Sequence, residues 1–278
     1  AQTPADSPAP AAPTPAPAAP TPTPVEKLKV AGIFPGSITD MAWNQSGYDE
    51  LMKYKDHELV EVSFQENVTQ AEVKDVIRNY ATDGYDLIIG HDLYFTEPIM
   101  EVAPEFPDIM FGISGGQDGG GNVVSISNTM WESSYLAGAL AGLVSKTGKI
   151  GIIVTGDGDV ARMMNGAFIG AAKAFNPNAT GSIAYTGSWN DAVKGKELAI
   201  ALAKEGVDVI YTSAGQCNPG IIEGCKEQGI YAIGQVTDLW ELGPDTVVAS
   251  VLIPSGRSVG LFIEKMLAGT LTGGVEIL

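Results

Sequence analysis

Four tryptophans, two histidines and a set of carboxylates and amides are the residues of this chain best equipped to grip a small molecule. The tryptophans are Trp43, Trp131, Trp189 and Trp240. Each stands in a short polar stretch, as in Asp40-Met41-Ala42-Trp43-Asn44-Gln45 and Gly187-Ser188-Trp189-Asn190-Asp191. An indole beside Asn, Asp or Gln offers an apolar face together with hydrogen-bonding groups for the edge of a flat ring. Stacking one base on an aromatic side chain contributes about 1–3 kcal/mol. The plainer role for such a Trp is an apolar plug between packed units. Asp238, Asp92 and Asp191 carry acceptors for ring and exocyclic N–H groups, while Asn44 and Gln235 both donate and accept. Such a carboxylate also serves as a helix N-cap, the role expected of Asp191. Arg162 is expected to pair with a neighbouring Asp, and His91 divides evenly between a cleft position and packing.

Other chemistries find less to work with. Cys217 and Cys225 are eight residues apart in a stretch with helical character. That separates them by about 12 Å along a helix axis, too far for a disulfide. They read as small packed residues, and neither has the His neighbours a metal site would want. A phosphate favours glycine-rich turns with Lys or Arg, but Gly156-Asp157-Gly158-Asp159 carries two carboxylates that would repel it. The first apolar run ends in Phe34-Pro35-Gly36-Ser37, without the glycine spacing of a dinucleotide site. A catalytic triad would have to be built on His91, and nothing around it resembles a nucleophile elbow. The expectation is a binding protein with no metal and no cofactor.

These residues need elements to hold them. Apolar runs at 28–34, 59–64, 86–90, 109–113 and 123–127 read as strands, with helical patterns at 44–55, 70–82, 96–103 and 132–145. A second series has strands at 150–154, 181–185, 207–212, 231–234 and 247–252. Its helices lie at 161–175, 191–205, 220–227 and 256–267. Strand–helix alternation at this spacing predicts an α/β fold of parallel sheets covered on both faces. Two series predict two lobes, one of 27–127 plus 238–268 and one of 128–237. In such sheets the ligand sits beyond the carboxyl ends of the strands, and the loops there hold all four tryptophans and His91.

Residues 1–26 are rich in Ala, Pro and Thr, almost entirely so up to Pro24, with no large apolar side chain before position 25. They predict an extended, disordered tether. With 16 basic and 33 acidic residues the formal net charge is −17, which argues against nucleic acid as a partner. No apolar run reaches the length of a membrane span, and a start at Ala1-Gln2 suggests a processed, exported chain.

The stretch from Asp40 to Tyr48 resembles the start of the BMP family, the basic membrane lipoprotein or purine nucleoside receptor group. So do Tyr85-Asp86-Leu87-Ile88-Ile89-Gly90, Tyr135-Leu136-Ala137-Gly138-Ala139-Leu140-Ala141-Gly142 and Gly187-Ser188-Trp189-Asn190-Asp191. The resemblance implies a type I periplasmic-binding-protein fold, two Rossmann-like lobes joined by crossover strands. It implies the solute-binding component of an ABC importer, working outside the cytoplasm (in a periplasm or as a surface lipoprotein) as a monomer with an ABC permease as partner. A purine nucleobase or nucleoside is the implied ligand. By the same resemblance Trp43 and Trp189 stack on opposite faces of the base, with Asn44 beside Trp43 and Asp238 as a polar contact. Asp40, His91, Asp92, Gln235 and Trp131 complete the predicted set. The sequence Val251-Leu252-Ile253-Pro254-Ser255 lacks the basic residue some nucleoside binders place near the ribose, which favours a free base such as adenine. A ligand-sensing receptor for a membrane partner and a Rossmann-type enzyme are the alternatives.

Overall fold

The computed structural model describes residues 26–40 and 42–278, so the predicted tether, apart from Glu26, lies outside the described residues. The first series forms β1 (Leu28–Ile33), α1 (Trp43–Met52), β2 (Val60–Gln65), α2 (Val73–Thr82), β3 (Leu87–Gly90), α3 (Thr96–Val102), β4 (Met110–Ser114) and β5 (Val123–Ser127). The second forms α4 (Met130–Val144), β6 (Lys149–Val154), α5 (Asp159–Phe175), β7 (Thr180–Tyr185), α6 (Ala192–Lys204), β8 (Val209–Ser213), α7 (Asn218–Gln228), β9 (Tyr231–Val236) and β10 (Val247–Leu252). The helix α8 (Arg257–Leu267) and the strand β11 (Gly274–Ile277) follow.

Two parallel sheets result. One has the order β11-β5-β4-β3-β1-β2 and the other β10-β9-β8-β6-β7. Alternating side chains of β1 show why both faces must be covered. Ala31 and Ile33 join a core with Val73, Ile77 and Phe95, while Val30, with Phe34 just past the strand's end, joins another with Leu51, Val259 and Phe262. The second sheet repeats the arrangement, with Phe168, Tyr211 and Ile233 on one side and Ile210, Ile221 and Cys225 on the other. Helices α4 and α5 lie close together because Gly138 and Gly142 face the carbonyls of Phe168 and Ala172. A Cβ on either glycine would come within 2.1 Å and 2.6 Å of those oxygens.

Two features depart from the sequence reading. The strand β11 was not predicted; it pairs in parallel with β5, from Gly274 with Val124 to Ile277 with Ser127. The predicted return to the first lobe at residue 238 also differs from the pairing, because β10 lies alongside β9, Ser250 beside Gly234 and Val251 beside Gln235. The chain therefore leaves the first sheet at Asn128–Thr129 and leaves the second only after Leu252. From there Gly256 N donates to Ser46 Oγ (2.9 Å) as α8 packs beside α1.

Candidate functional site

Both sheets have a point where the strand order reverses, between β1 and β3 in the first and between β6 and β8 in the second. Loops leaving adjacent strands diverge there and open a crevice at the carboxyl ends. The first crevice is built around Asp40. Its buried carboxylate accepts from the N–H groups of Ala42 (2.9 Å), Asn44 (3.1 Å) and Gln45 (3.0 Å) and from Asn44 Nδ2 (2.8 Å). The otherwise unsatisfied amides at the start of α1 are thus capped, and Asp40 acts as an anchor with its oxygens already engaged. Asn44 is held by the same carboxylate, and its Oδ1 is buried without a partner.

Trp43 and His91 lock one another. Trp43 Nε1 donates to the His91 carbonyl (2.9 Å), and His91 Nε2 meets the Trp43 carbonyl at 2.9 Å. A carbonyl only accepts, so Nε2 carries the hydrogen. The rings stack at 5.3 Å and 25°. His91 has no exposed surface, so the cleft position left open for it gives way to packing: the imidazole is the backing of the Trp43 indole. Burial pushes its pKa down to about 4, more than the Trp43 carbonyl and Asp40 raise it, and the ring is neutral. Asp92 is half-buried and caps a short turn by accepting from Tyr94 N (2.8 Å). Burial pushes its carboxyl up to about 6 against that single bond.

The second crevice carries Trp189 and Gln235. Trp189 is 66% exposed, and its six-membered ring lies over Gly215, where an added Cβ would meet it at 3.2 Å. The loop beneath is bonded to itself and to the next strand's loop. Thr186 Oγ1 donates to the Ser188 carbonyl (2.6 Å), and Cys217 Sγ donates to the same oxygen (3.3 Å). Asp191 caps α6 through Lys194 N (2.9 Å), as expected. Gln235 is buried near the end of β9 with Nε2 unpartnered. Asp238 is exposed and accepts from Trp240 N (3.0 Å). Trp131 lies half-buried in the first turn of α4, and Trp240 is 53% exposed. Arg162 pairs with Asp157 and Asp159, and Cys217 and Cys225 are free and buried.

Asp40, Trp43, Asn44, His91 and Asp92 therefore share one strand-end cluster, whereas Trp189, Gln235 and Asp238 belong to the other sheet. Among the described residues no ring pairing joins Trp43 to Trp189. Two hollows sit elsewhere. One of about 560 Å³ is lined by Leu93, Tyr94, Met100 and Asp118. The other, of about 470 Å³, lies at the opposite, amino ends of the second sheet's strands, beside Lys146, Asp208 and Tyr231. Sequence reasoning missed Tyr211, a wholly buried residue of β8 whose hydroxyl faces Gln235. Inside an apolar strand, nothing but its own hydroxyl could have signalled it.

Residues 27–278 match the family described as Bmp, ABC transporter substrate-binding protein PnrA-like. The chain belongs to this family. It is a family of solute-binding proteins and not of enzymes, and the solute-binding component of an ABC importer works outside the cytoplasm. Among the described residues no helix is long and apolar enough to cross a membrane. Among curated relatives, a transcriptional activator protein of Bacillus subtilis is 31% identical over 249 residues, 88% of this chain and 77% of that protein. A purine-binding protein of Brucella abortus is 30% identical over 233 residues, 82% of this chain and 65% of its own length. A solute-binding protein of an Aeropyrum pernix ABC transporter superposes with a TM-score of 0.82 at 24% identity, over 90% of this chain and 74% of that one. The fold is accordingly that of type I periplasmic solute-binding proteins, two parallel-sheet lobes.

Proposed function

We propose that this Bmp protein carries a purine, with a free base preferred to a nucleoside, and encloses the ring between Trp43 and Trp189. The observation that carries the reading is the pair of indoles at carboxyl strand ends of different sheets, one braced by His91 and one 66% exposed. An exposed indole beside hydrogen-bonding groups gains apolar burial when a flat ring covers it. Asn44 Oδ1 and Gln235, buried and incompletely bonded, supply polar contacts to the ring edge; Asp92 and Asp238 supply acceptors at the rim. The run Val251 to Ser255 adds no cation for a ribose. The Brucella relative named as purine-binding supports the ligand class. A membrane permease is the partner that would take the loaded form, and a monomer suffices for the site.

The test is tryptophan fluorescence with calorimetry on ligand-stripped protein, against adenine, guanine, hypoxanthine, adenosine, inosine and glucose. Binding of bases tighter than of their nucleosides is expected. Tighter nucleoside binding would remove the preference for the base, and no purine binding would remove the ligand class. A sensing role for the same cleft is the second reading, favoured by the relative named as a transcriptional activator. Deleting this protein should abolish purine uptake under the transport reading and leave it unchanged under the sensing one.

A further inference from the structure

The second lobe holds a buried polar chain that neither tryptophan explains. Tyr211 on β8 is wholly buried, with its ring stacked on Phe168 at 5.4 Å and 22°. Its hydroxyl neighbours Ser133, Ser134 and Gln235, the last two positions beyond Ile233, which pairs with Tyr211 across the sheet, yet it forms no well-aligned hydrogen bond with them, and neither does Gln235 Nε2, although Gln235 is only 4% exposed. The two serine hydroxyls already donate to the Met130 carbonyl, at 2.7 Å and 3.0 Å. Towards Tyr211 their oxygens can therefore only accept. Once closed, the chain can run in only one direction: Gln235 N–H to the Tyr211 oxygen, Tyr211 O–H to a serine oxygen, serine O–H to Met130.

Both ends of this chain reach the joints between the sheets. Met130 N donates to the Asn128 carbonyl (2.9 Å), in the tight turn where the chain leaves the first sheet. Gln235 is followed by Val236 at a φ of 72°, closed by Thr237 N donating to the Gln235 carbonyl (3.0 Å). That is a three-residue turn in a conformation a β-branched residue rarely adopts, and such strain is typical of places where a structure is poised for function. The Val236 carbonyl accepts from Ile253 N (3.0 Å), where the chain returns to the first lobe. Complementary buried groups left unbonded side by side are unfavourable until they pair.

We propose that Tyr211 is a positioning residue for ligand capture. When a ligand engages Gln235, the Tyr211 hydroxyl takes the Gln235 N–H, turns the amide oxygen to the ligand and ties the end of β9 to α4 at the crossover. The proposal rests on reading Gln235 as a ligand contact.

The test is Tyr211→Phe, which keeps the ring stack on Phe168. The ligand-free variant should melt at the same temperature as the parent or higher, because an unbonded buried hydroxyl has gone. Its adenine affinity, by calorimetry, should fall about tenfold, the equivalent of one hydrogen bond. A tyrosine needed only for packing would give the reverse: a lower Tm and unchanged affinity. Gln235→Leu should bind as weakly as the double variant with Tyr211→Phe, since the two groups act as one; losses that simply add would overturn the relay. If the parent binds no purine, the purine reading falls by itself. The ligand-free Tm then still decides: a drop in Tyr211→Phe overturns the unbonded hydroxyl, and an equal or higher value sustains it.

Discussion

Trp43 and Trp189 both sit where a strand end passes into a helix, yet they are held in opposite ways. Trp43 leaves an inner strand at the reversal point of its sheet, with loops on both sides. From the β2 side Glu66 accepts from Ile38 N (3.0 Å) and Val68 N donates to the Phe34 carbonyl (3.0 Å); from the β3 side His91 locks the indole. Trp189 leaves β7, the edge strand, and its indole lies over Gly215, 66% exposed, while its loop is tied at Gly187 N to the Thr155 carbonyl (2.8 Å). The difference teaches that strand position decides which wall of a cleft is prepared in advance. The inner strand's loop holds its indole by a hydrogen bond and a stacked ring, whereas the edge strand's loop is tied only through its backbone and leaves its side chain to the ligand. On this view the first wall couples binding to stability, and the second wall serves binding alone.

Asp40→Ala puts the most weight on that contrast. It leaves three backbone amides and the Asn44 side chain without the acceptor they share. Lost caps and unsatisfied buried groups together predict about 2–3 kcal/mol of destabilisation. It should be read as a lower urea midpoint at unchanged slope, with weaker purine binding alongside. A midpoint within error of the parent would mean that the first wall is not prepared by its cap. Gly47→Ala comes next. The new Cβ would lie 2.3 Å from the His91 ring, forcing the backing of Trp43 to move at about 1–3 kcal/mol. A crystal structure of the variant with the His91 ring unmoved would remove this link between α1 and the indole.

Trp189→Ala tests the other wall. Affinity for adenine should fall by about 1–3 kcal/mol, the worth of one stacked base. Stability should change by less than about 0.5 kcal/mol, because the side chain is mostly exposed. Parallel losses of melting temperature and affinity would erase the distinction between the walls.

How much of this could be read from the residues follows the same division. Strands buried on both faces, such as β3, β5 and β8, announce themselves as apolar runs, and β1 to β10 all lie within two residues of the runs that signal them. The four-residue β11 follows a loop containing Gly273 and alternates Val275 and Ile277 with polar or small neighbours. It is too short to signal, and it exists because β5 offers it an open edge. The pairing of β10 with β9 depends on where a chain crosses between lobes, which periodicity does not encode. Within the site, tryptophans at strand ends were legible because large apolar residues are unusual in polar loops. The roles of Asp40, as a saturated cap, and of His91, as a buried backing, were not. A carboxylate's partners are fixed by backbone amides whose directions only the folded turn sets.

The smallest effect is a near-cancellation with pH. His91 has its folded pKa lowered from 6.5 to about 4, so the unfolded chain binds the proton more readily. Its contribution is complete above about pH 6.5 and is lost as pH falls towards 4. Asp92 is shifted the other way, from 3.8 to about 6. The folded state binds that proton more readily, so its contribution is complete below 3.8 and is lost as pH rises through 6. Between about pH 4 and 6 the two slopes oppose each other, and the parent protein should show little net dependence from these sites in that window. Asp92→Asn keeps an oxygen for the Tyr94 amide but removes the proton. It should expose the His91 slope, about 1 kcal/mol for each pH unit below 6. Urea midpoints at pH 6 and pH 5 measure it directly, for the variant and the parent side by side. Equal pH slopes in the two proteins would show that Asp92 does not offset His91, and the buried imidazole would then have to be balanced from outside the first wall.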